Sequence, residues 1–161
     1  MKTVVDTSGL VALLYPGNEH NRRAAMLLRD AYANGALVIG PIVYVELAAD
    51  RFFEDTDALN GFLADTGIDV EEPSREASFG AGKAFQRYLD RRGEKLQCSV
   101  CGTEAIFECP DRGTLITARQ HVPADFVIGA QAEHDADGLL TFDQGFYRDY
   151  FDVDVQAVRE E

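Results

Sequence analysis

This sequence predicts an α/β fold: a parallel sheet with helices on both faces. Short apolar, β-branched runs alternate with segments of helical spacing along the chain, the pattern of strand–helix–strand crossovers. Single carboxylates stand where such runs end, Asp6 after "KTVV" and Asp143 after "LLTF". In sheets of this kind ligands gather at the carboxyl ends of the strands. The 161 residues are enough for one domain with a sizeable core.

The elements follow in order. "KTVVD" reads as a short buried strand and "TSGLVALLY" as an apolar helix that Pro16-Gly17-Asn18 ends. From Glu19 to Asn34 the positions Ala24, Leu27, Leu28 and Ala31 keep helical spacing, and Gly35 closes the helix. "ALVIG" is a second strand. Pro41 starts a helix through "IVYVELAADRFF", proline being favoured at a first helical position. "DALNGFLADTG" is amphipathic, "IDV" is a short strand, and Ser74 is an N-cap for a long helix over "REASFGAGKAFQRYLDRRG". After a cysteine-bearing segment, about 94–122, Pro123 opens the helix "ADFVIGAQAEH". "GLLTF" is a strand, "QGFYRDYF" a short helical turn and "VDVQAV" a last strand.

No apolar run reaches the roughly 18 residues of a membrane span, and no secretory signal is visible. Three cysteines, an odd number, argue against a simple disulfide framework. A cytoplasmic protein is expected. The formal net charge is −13, from 28 acidic and 15 basic residues, and Lys2, Lys83 and Lys95 are its only lysines. Acidic proteins repel nucleic acid. A halophilic cytoplasm gives the same composition, and at about 1 M salt the Debye length is about 3 Å, so local contacts decide binding. Net charge therefore does not exclude a nucleic-acid substrate.

Four acids differ from the rest in their apolar surroundings: Asp6, Glu46 in "IVYVELAA", Asp125 in "ADFVIGAQA" and Asp143. Singly, Asp125 reads equally well as a helix cap, and Asp6 and Asp143 as strand-end turn acids. Together they place several carboxylates at one sheet edge, where they repel unless a cation neutralises them. Oxygen ligands suit Mg²⁺ or Mn²⁺ rather than zinc, and such an ion activates water for attack on a phosphodiester.

The stretches "VVDTSGLVALL", "VYVELA", "ADFVIGAQA" and "LLTFDQGFYRDYF" resemble the four motifs of PIN-domain ribonucleases, especially the VapC toxins of type II toxin–antitoxin modules. The resemblance spans nearly the whole chain outside the cysteine segment. It implies a PIN-like three-layer α/β/α fold over residues 1–161, with the segment at about 94–122 as an insertion. It also implies a Mg²⁺- or Mn²⁺-dependent endoribonuclease, a toxin with a cognate antitoxin, and a homodimer. Asp6, Glu46, Asp125 and Asp143 match the catalytic, metal-binding acids, and Ser8 and Thr141 match small hydroxyl positions beside the first and last. Two other readings stay open: a PIN endonuclease of RNA processing or ribosome maturation, and a non-catalytic RNA-binding PIN domain. Haloacid dehalogenases need an aspartate where Ser8 stands, and receiver domains need a late lysine, but no lysine follows Lys95.

Lys83, Arg87 and Arg91 lie four apart on the long helix, with Arg92 and Lys95 just beyond. They form either an RNA track or a solvated face paired with nearby acids and the helix dipole. Arg22-Arg23 is a second basic pair.

"CSVCG" is a C-x-x-C-G knuckle, and "CPDRG" echoes it with Arg112 in place of the second cysteine. A zinc-ribbon-like site would use Cys98, Cys101 and Cys109, with His121, or less readily Asp111, as fourth ligand. A decayed ribbon or a Cys98–Cys101 disulfide is the alternative. His20 and His134 read as surface or core histidines.

Overall fold

The structure, a computed structural model, describes residues 1–93, 95–97, 103–116, 123–142 and 144–157. Seven strands and seven helices occur among them. Strand β1 (Lys2–Val5) leads into α1 (Thr7–Leu14) and α2 (Asn21–Asn34). Strand β2 (Ala36–Ile39) precedes α3 (Pro41–Ala48) and α4 (Thr56–Thr66). Strand β3 (Ile68–Val70) leads to α5 (Arg75–Arg92), then to the two-residue strands β4 (Leu96–Gln97) and β5 (Glu104–Ala105). Helix α6 (Ala124–Asp135), β6 (Gly138–Thr141), α7 (Gln144–Tyr150) and β7 (Val155–Ala157) complete the described chain.

Five strands form one sheet in the order β3-β2-β1-β6-β7, and every pairing in it is parallel. The chain therefore builds outward from β1 to β3, then returns to the other side of β1 to lay down β6 and β7. The point where this order reverses lies between β1 and β6. Right-handed crossovers put α1 to α4 over one face and α5 to α7 over the other. The packing of α1 on α2 and α3, and of α6 on α5 and α7, agrees with this. The central strands are sealed from both sides: Val4, Val5, Leu37, Val38, Ile39, Leu139 and Leu140 are all buried, as expected of runs without polar alternation. Among the described residues no helix is long and apolar enough to cross a membrane.

Local chemistry accounts for the element ends. Pro41 opens α3, the Ser74 hydroxyl accepts the Ala77 N–H at 3.0 Å, and Gly67 caps α4 in the left-handed region at φ 67°. Helix α3 stops at Ala48, short of the Phe53 expected from its apolar run. The reason is Asp50. Its carboxylate accepts the Phe52 N–H at 2.9 Å and the Tyr15 hydroxyl, a turn that competes with helix. The Tyr15 hydroxyl and then the Phe52 amide hold the Asp50 carboxyl below its ordinary range. Its contribution to stability is present above the ordinary aspartate pKa and fades as pH falls through the lowered value.

The cysteine-bearing segment carries its own small antiparallel pair, β4 with β5, and a bridge between Glu108 and Leu115. At "CPDRG" the Cys109 carbonyl accepts the N–H groups of Arg112 (3.3 Å) and Gly113 (2.8 Å), and Gly113 sits at φ 64°. That is an ordinary tight turn closed by a left-handed glycine. Cys98, Cys101 and His121 lie outside the described residues.

An aromatic cluster fastens α6 and α7 together. Gly129 on α6 is buried, and a Cβ built there would sit 2.4 Å from the Phe151 ring. Gly129→Ala therefore forces that ring out of place at about 1–3 kcal/mol, only partly offset by about 1 kcal/mol of helix propensity. A melting temperature several degrees below wild type is expected at about 2–4 °C per kcal/mol. An unchanged melt would mean that the ring can swing clear.

Candidate active site

The carboxyl ends of β1 and β6 lie side by side, in register from Thr3 with Gly138 to Val5 with Leu140. A topological switch point of a parallel sheet opens a crevice there, because the two following connections leave in opposite directions. Asp6 stands at its centre. Its N–H continues the ladder to the Leu140 carbonyl at 2.9 Å, which fixes its backbone as an extension of β1. Asp6 also occupies the N-cap position of α1, yet its side chain makes no capping hydrogen bond. The carboxylate is instead held by hydroxyls: Oδ2 accepts from Ser8 at 2.6 Å and from Thr141 at 2.8 Å. Ser8 Oγ in turn accepts the Phe142 N–H at 3.1 Å, tying the start of α1 to the end of β6.

Each of the other described acids is met by a hydroxyl from another element. Thr7 donates to Glu46 Oε2, so α3 is joined to the residue after Asp6. Tyr147 donates to Asp125 Oδ1 at 3.5 Å, joining α7 to the first turn of α6. There Asp125 also complements the helix dipole, although Pro123 is the cap residue. Sequence reasoning marked Ser8 and Thr141 but missed Thr7 and Tyr147. Thr7 follows Asp6 directly. Tyr147 is fully buried and would have been found by asking where a core tyrosine sends its hydroxyl.

Asp6 is 5% exposed, and no ion pair to Asp6 or Glu46 occurs among the described residues. A buried carboxylate without a cation partner is costly, and two hydroxyls repay only part of that. The donor set is all hard oxygen, the chemistry that Mg²⁺ and Mn²⁺ favour. Among the described residues no three histidine, cysteine or acidic side chains stand close enough to hold one ion. Asp143 lies outside the described residues.

The basic candidates lie apart from this crevice. Arg87 donates to the Tyr150 carbonyl at 3.0 Å, Arg91 pairs with Asp149 at 3.2 Å, and Lys83 lies over the Phe79 ring at 5.5 Å. Two of the three thus bind α5 to α7. Burial holds the Tyr150 hydroxyl above its ordinary range.

Solved structures with this architecture decide the fold. A VapBC2 structure from Rickettsia felis, bound to a DNA fragment from their promoter, superposes with a TM-score of 0.62 at 17% identity. The match covers 99% of this chain and 100% of that one. The chain has the VapC PIN fold. VapBC-1 from nontypeable Haemophilus influenzae matches at 0.61 and 16% identity over 98% of each chain. Mycobacterium tuberculosis VapC20, a Sarcin-Ricin loop cleaving toxin, matches at 0.50 and 18% identity over 93% of this chain and 96% of that one. At these identities the likeness is one of fold. No protein-family model matches the sequence, and no curated protein sequence does. In the PIN fold of this chain the crevice at the β1–β6 switch point thus carries Asp6, Ser8 and Thr141.

The Asp6 environment has a testable energetic signature. Thr141→Val removes a donor from a buried charged group and should cost about 1–3 kcal/mol in denaturant unfolding without divalent ions. Asp6→Asn removes the charge itself and should unfold no more easily than wild type under those conditions. In the Asp6→Asn background the cost of Thr141→Val should shrink, a coupling that a double-mutant cycle measures. Additive effects would mean that the hydroxyl does not serve the carboxylate.

Proposed function

We propose that this protein is a metal-dependent endoribonuclease and the toxin of a type II toxin–antitoxin module. The reading rests on one observation: a buried carboxylate without a cation partner among the described residues, at the switch point of a VapC PIN fold. By the resemblance, Asp6, Glu46, Asp125 and Asp143 are the residues that would hold Mg²⁺ or Mn²⁺; Asp6, Glu46 and Asp125 do not stand close enough to share one ion as they are, so an ion would have to draw them together around Asp6. When bound, the ion supplies the positive charge that lets these acids stay ionised together and offsets charge developing on a scissile phosphate. Ser8 and Thr141 fix the Asp6 carboxylate, Thr7 fixes Glu46, and Tyr147 fixes Asp125. Hydroxyls suit this work, because they orient a carboxylate without adding a competing charge.

Purified protein should cleave RNA with Mg²⁺ or Mn²⁺, lose activity in EDTA, and lose it again in Asp6→Asn, whose amide is a poor ligand for a hard cation. RNA cleavage that survives both changes would sink the proposal. Expression alone should arrest growth, and co-expression of a short adjacent gene should relieve it. The antitoxin is the expected partner, seated across the acidic crevice, and the toxin is expected as a homodimer. A chain that is harmless in its host without any partner would favour the RNA-processing reading.

We also infer a structural zinc ion on Cys98, Cys101, Cys109 and His121. The reading rests on the sequence pattern, the knuckle "CSVCG" and its echo "CPDRG". About one zinc per chain is expected by elemental analysis, falling on His121→Ala. A content near zero would mean a decayed ribbon.

A further inference from the structure

A second concave site lies on the far side of α7 from Asp125. It is a polar cleft of about 500 Å³, within the ~300–1,000 Å³ range of small-ligand pockets. One wall is the last turns of α5, with Tyr88, Arg91 and Arg92, and the other is α7, with Phe146, Asp149 and Tyr150. Glu104 on β5 lines it as well. Positions 146, 149 and 150 share one face of α7, as i, i+3 and i+4 positions do. Tyr147 points elsewhere, to Asp125.

The lining is a set of flat faces. The Arg91 guanidinium lies 5.5 Å from the Tyr150 ring centre and that of Arg92 lies 5.4 Å from Tyr88. Arg92 also donates to the Tyr88 hydroxyl at 3.0 Å. Phe146 and Tyr150 rings stand 5.3 Å apart. The Arg91 side chain remains 65% exposed although it is paired with Asp149, so one broad side of the guanidinium is open. Charge then discriminates between ligands. The cleft holds two guanidinium groups and two carboxylates, and Arg91 is already neutralised by Asp149. Glu104 is likewise paired, with Lys95 at 3.3 Å, and Arg92 is turned onto Tyr88, so the cleft's charges are largely engaged within the protein, whereas a phosphate track needs free positive charge. A neutral planar ring with donors and acceptors on its edge meets both needs: planes to stack on, and charged groups of each sign to bond its edge.

We infer that this cleft is a base-binding subsite, in which one unpaired nucleobase of the RNA substrate stacks on the open face of the Arg91 guanidinium, which is backed by the Tyr150 ring of α7. The inference rests on the ribonuclease reading for its substrate class. Phe146 packs on Phe126, the neighbour of Asp125, with ring centres 4.9 Å apart. Helix α7 thus packs on the α6 residue next to Asp125 while its other face lines the subsite.

Binding is measured with the full chain without added Mg²⁺ or Mn²⁺ and without chelator, in the Asp6→Asn background, where the ribonuclease reading expects no cleavage. The probe is a set of short mixed-sequence single-stranded RNAs, each carrying 2-aminopurine at one position. The Arg91 wild type should quench one position by stacking. Arg91→Ala should weaken binding about tenfold and abolish that quench. Arg91→Lys keeps the charge but loses the plane, so it should behave like Arg91→Ala; its exposed position also makes it safe for folding. If Arg91→Lys binds like wild type, the site is a charge contact and the inference falls. It falls too if wild type binds no RNA, or if Arg91→Ala weakens only the antitoxin, which would make the cleft a peptide site. RNA bound and cut normally by Arg91→Ala overturns the subsite and leaves the ribonuclease reading standing. The expected quench without any cleavage in Mg²⁺ keeps the subsite and removes the ribonuclease.

Discussion

The carboxylate of Asp6 is buried at the centre of a parallel sheet, and much of the structure is arranged around that. A charge there must be oriented and compensated from within, since water reaches it poorly. The sheet order supplies the orientation. Pairing β6 directly beside β1 brings Thr141 to Asp6 across 135 positions of sequence. Had β6 and β7 exchanged places, Thr141 and the Phe142 amide would lie one strand further from β1 and could not close the network on Ser8. The strand order is therefore as much a part of the site as the acids are.

Compensation follows another rule. Hydroxyl donors come from α1, β6 and α7 to three different acids. Lysine or arginine in those positions would satisfy a carboxylate more strongly, and would also occupy the space and charge that a cation needs. A hydroxyl leaves the acid negative. On the proposed reading, an ion bound there would add to stability as well, because binding to the folded state contributes to folding.

Much of this was legible in the sequence because it rests on local signals. The apolar runs at Val4-Val5, Leu37–Ile39 and Leu139-Leu140 carry no polar alternation, so they read as strands buried on both faces, and they are. Pro41, Ser74 and Gly67 state their backbone roles by residue type. What escaped depends on distant pairs. Asp50 ends α3 because its carboxylate turns to Phe52 and Tyr15, and nothing in "LAADRFF" announces Tyr15. Spacing placed Lys83, Arg87 and Arg91 on one stripe, but spacing could not show that α7 lies against it. Thr7 and Tyr147 were silent because a hydroxyl gains its meaning from the acid it faces.

The same distinction bears on how a chain of net charge −13 would handle RNA on the proposed reading. Global charge acts over the Debye length, about 8 Å at physiological salt and shorter above it. Contacts made in a cleft act at a few ångströms and are little screened. The α5–α7 cleft is balanced in sign and faced with aromatic and guanidinium planes, so it offers stacking, which salt weakens far less than it weakens phosphate contacts. A ribonuclease built on such contacts gives up long-range steering and with it fast, indiscriminate capture of polyanions. What would remain is recognition of an unpaired base by stacking, with an ion drawn separately to the buried carboxylate. In a protein this acidic, selectivity would thus come from shape and planarity first, with the ion making the final contact to phosphate.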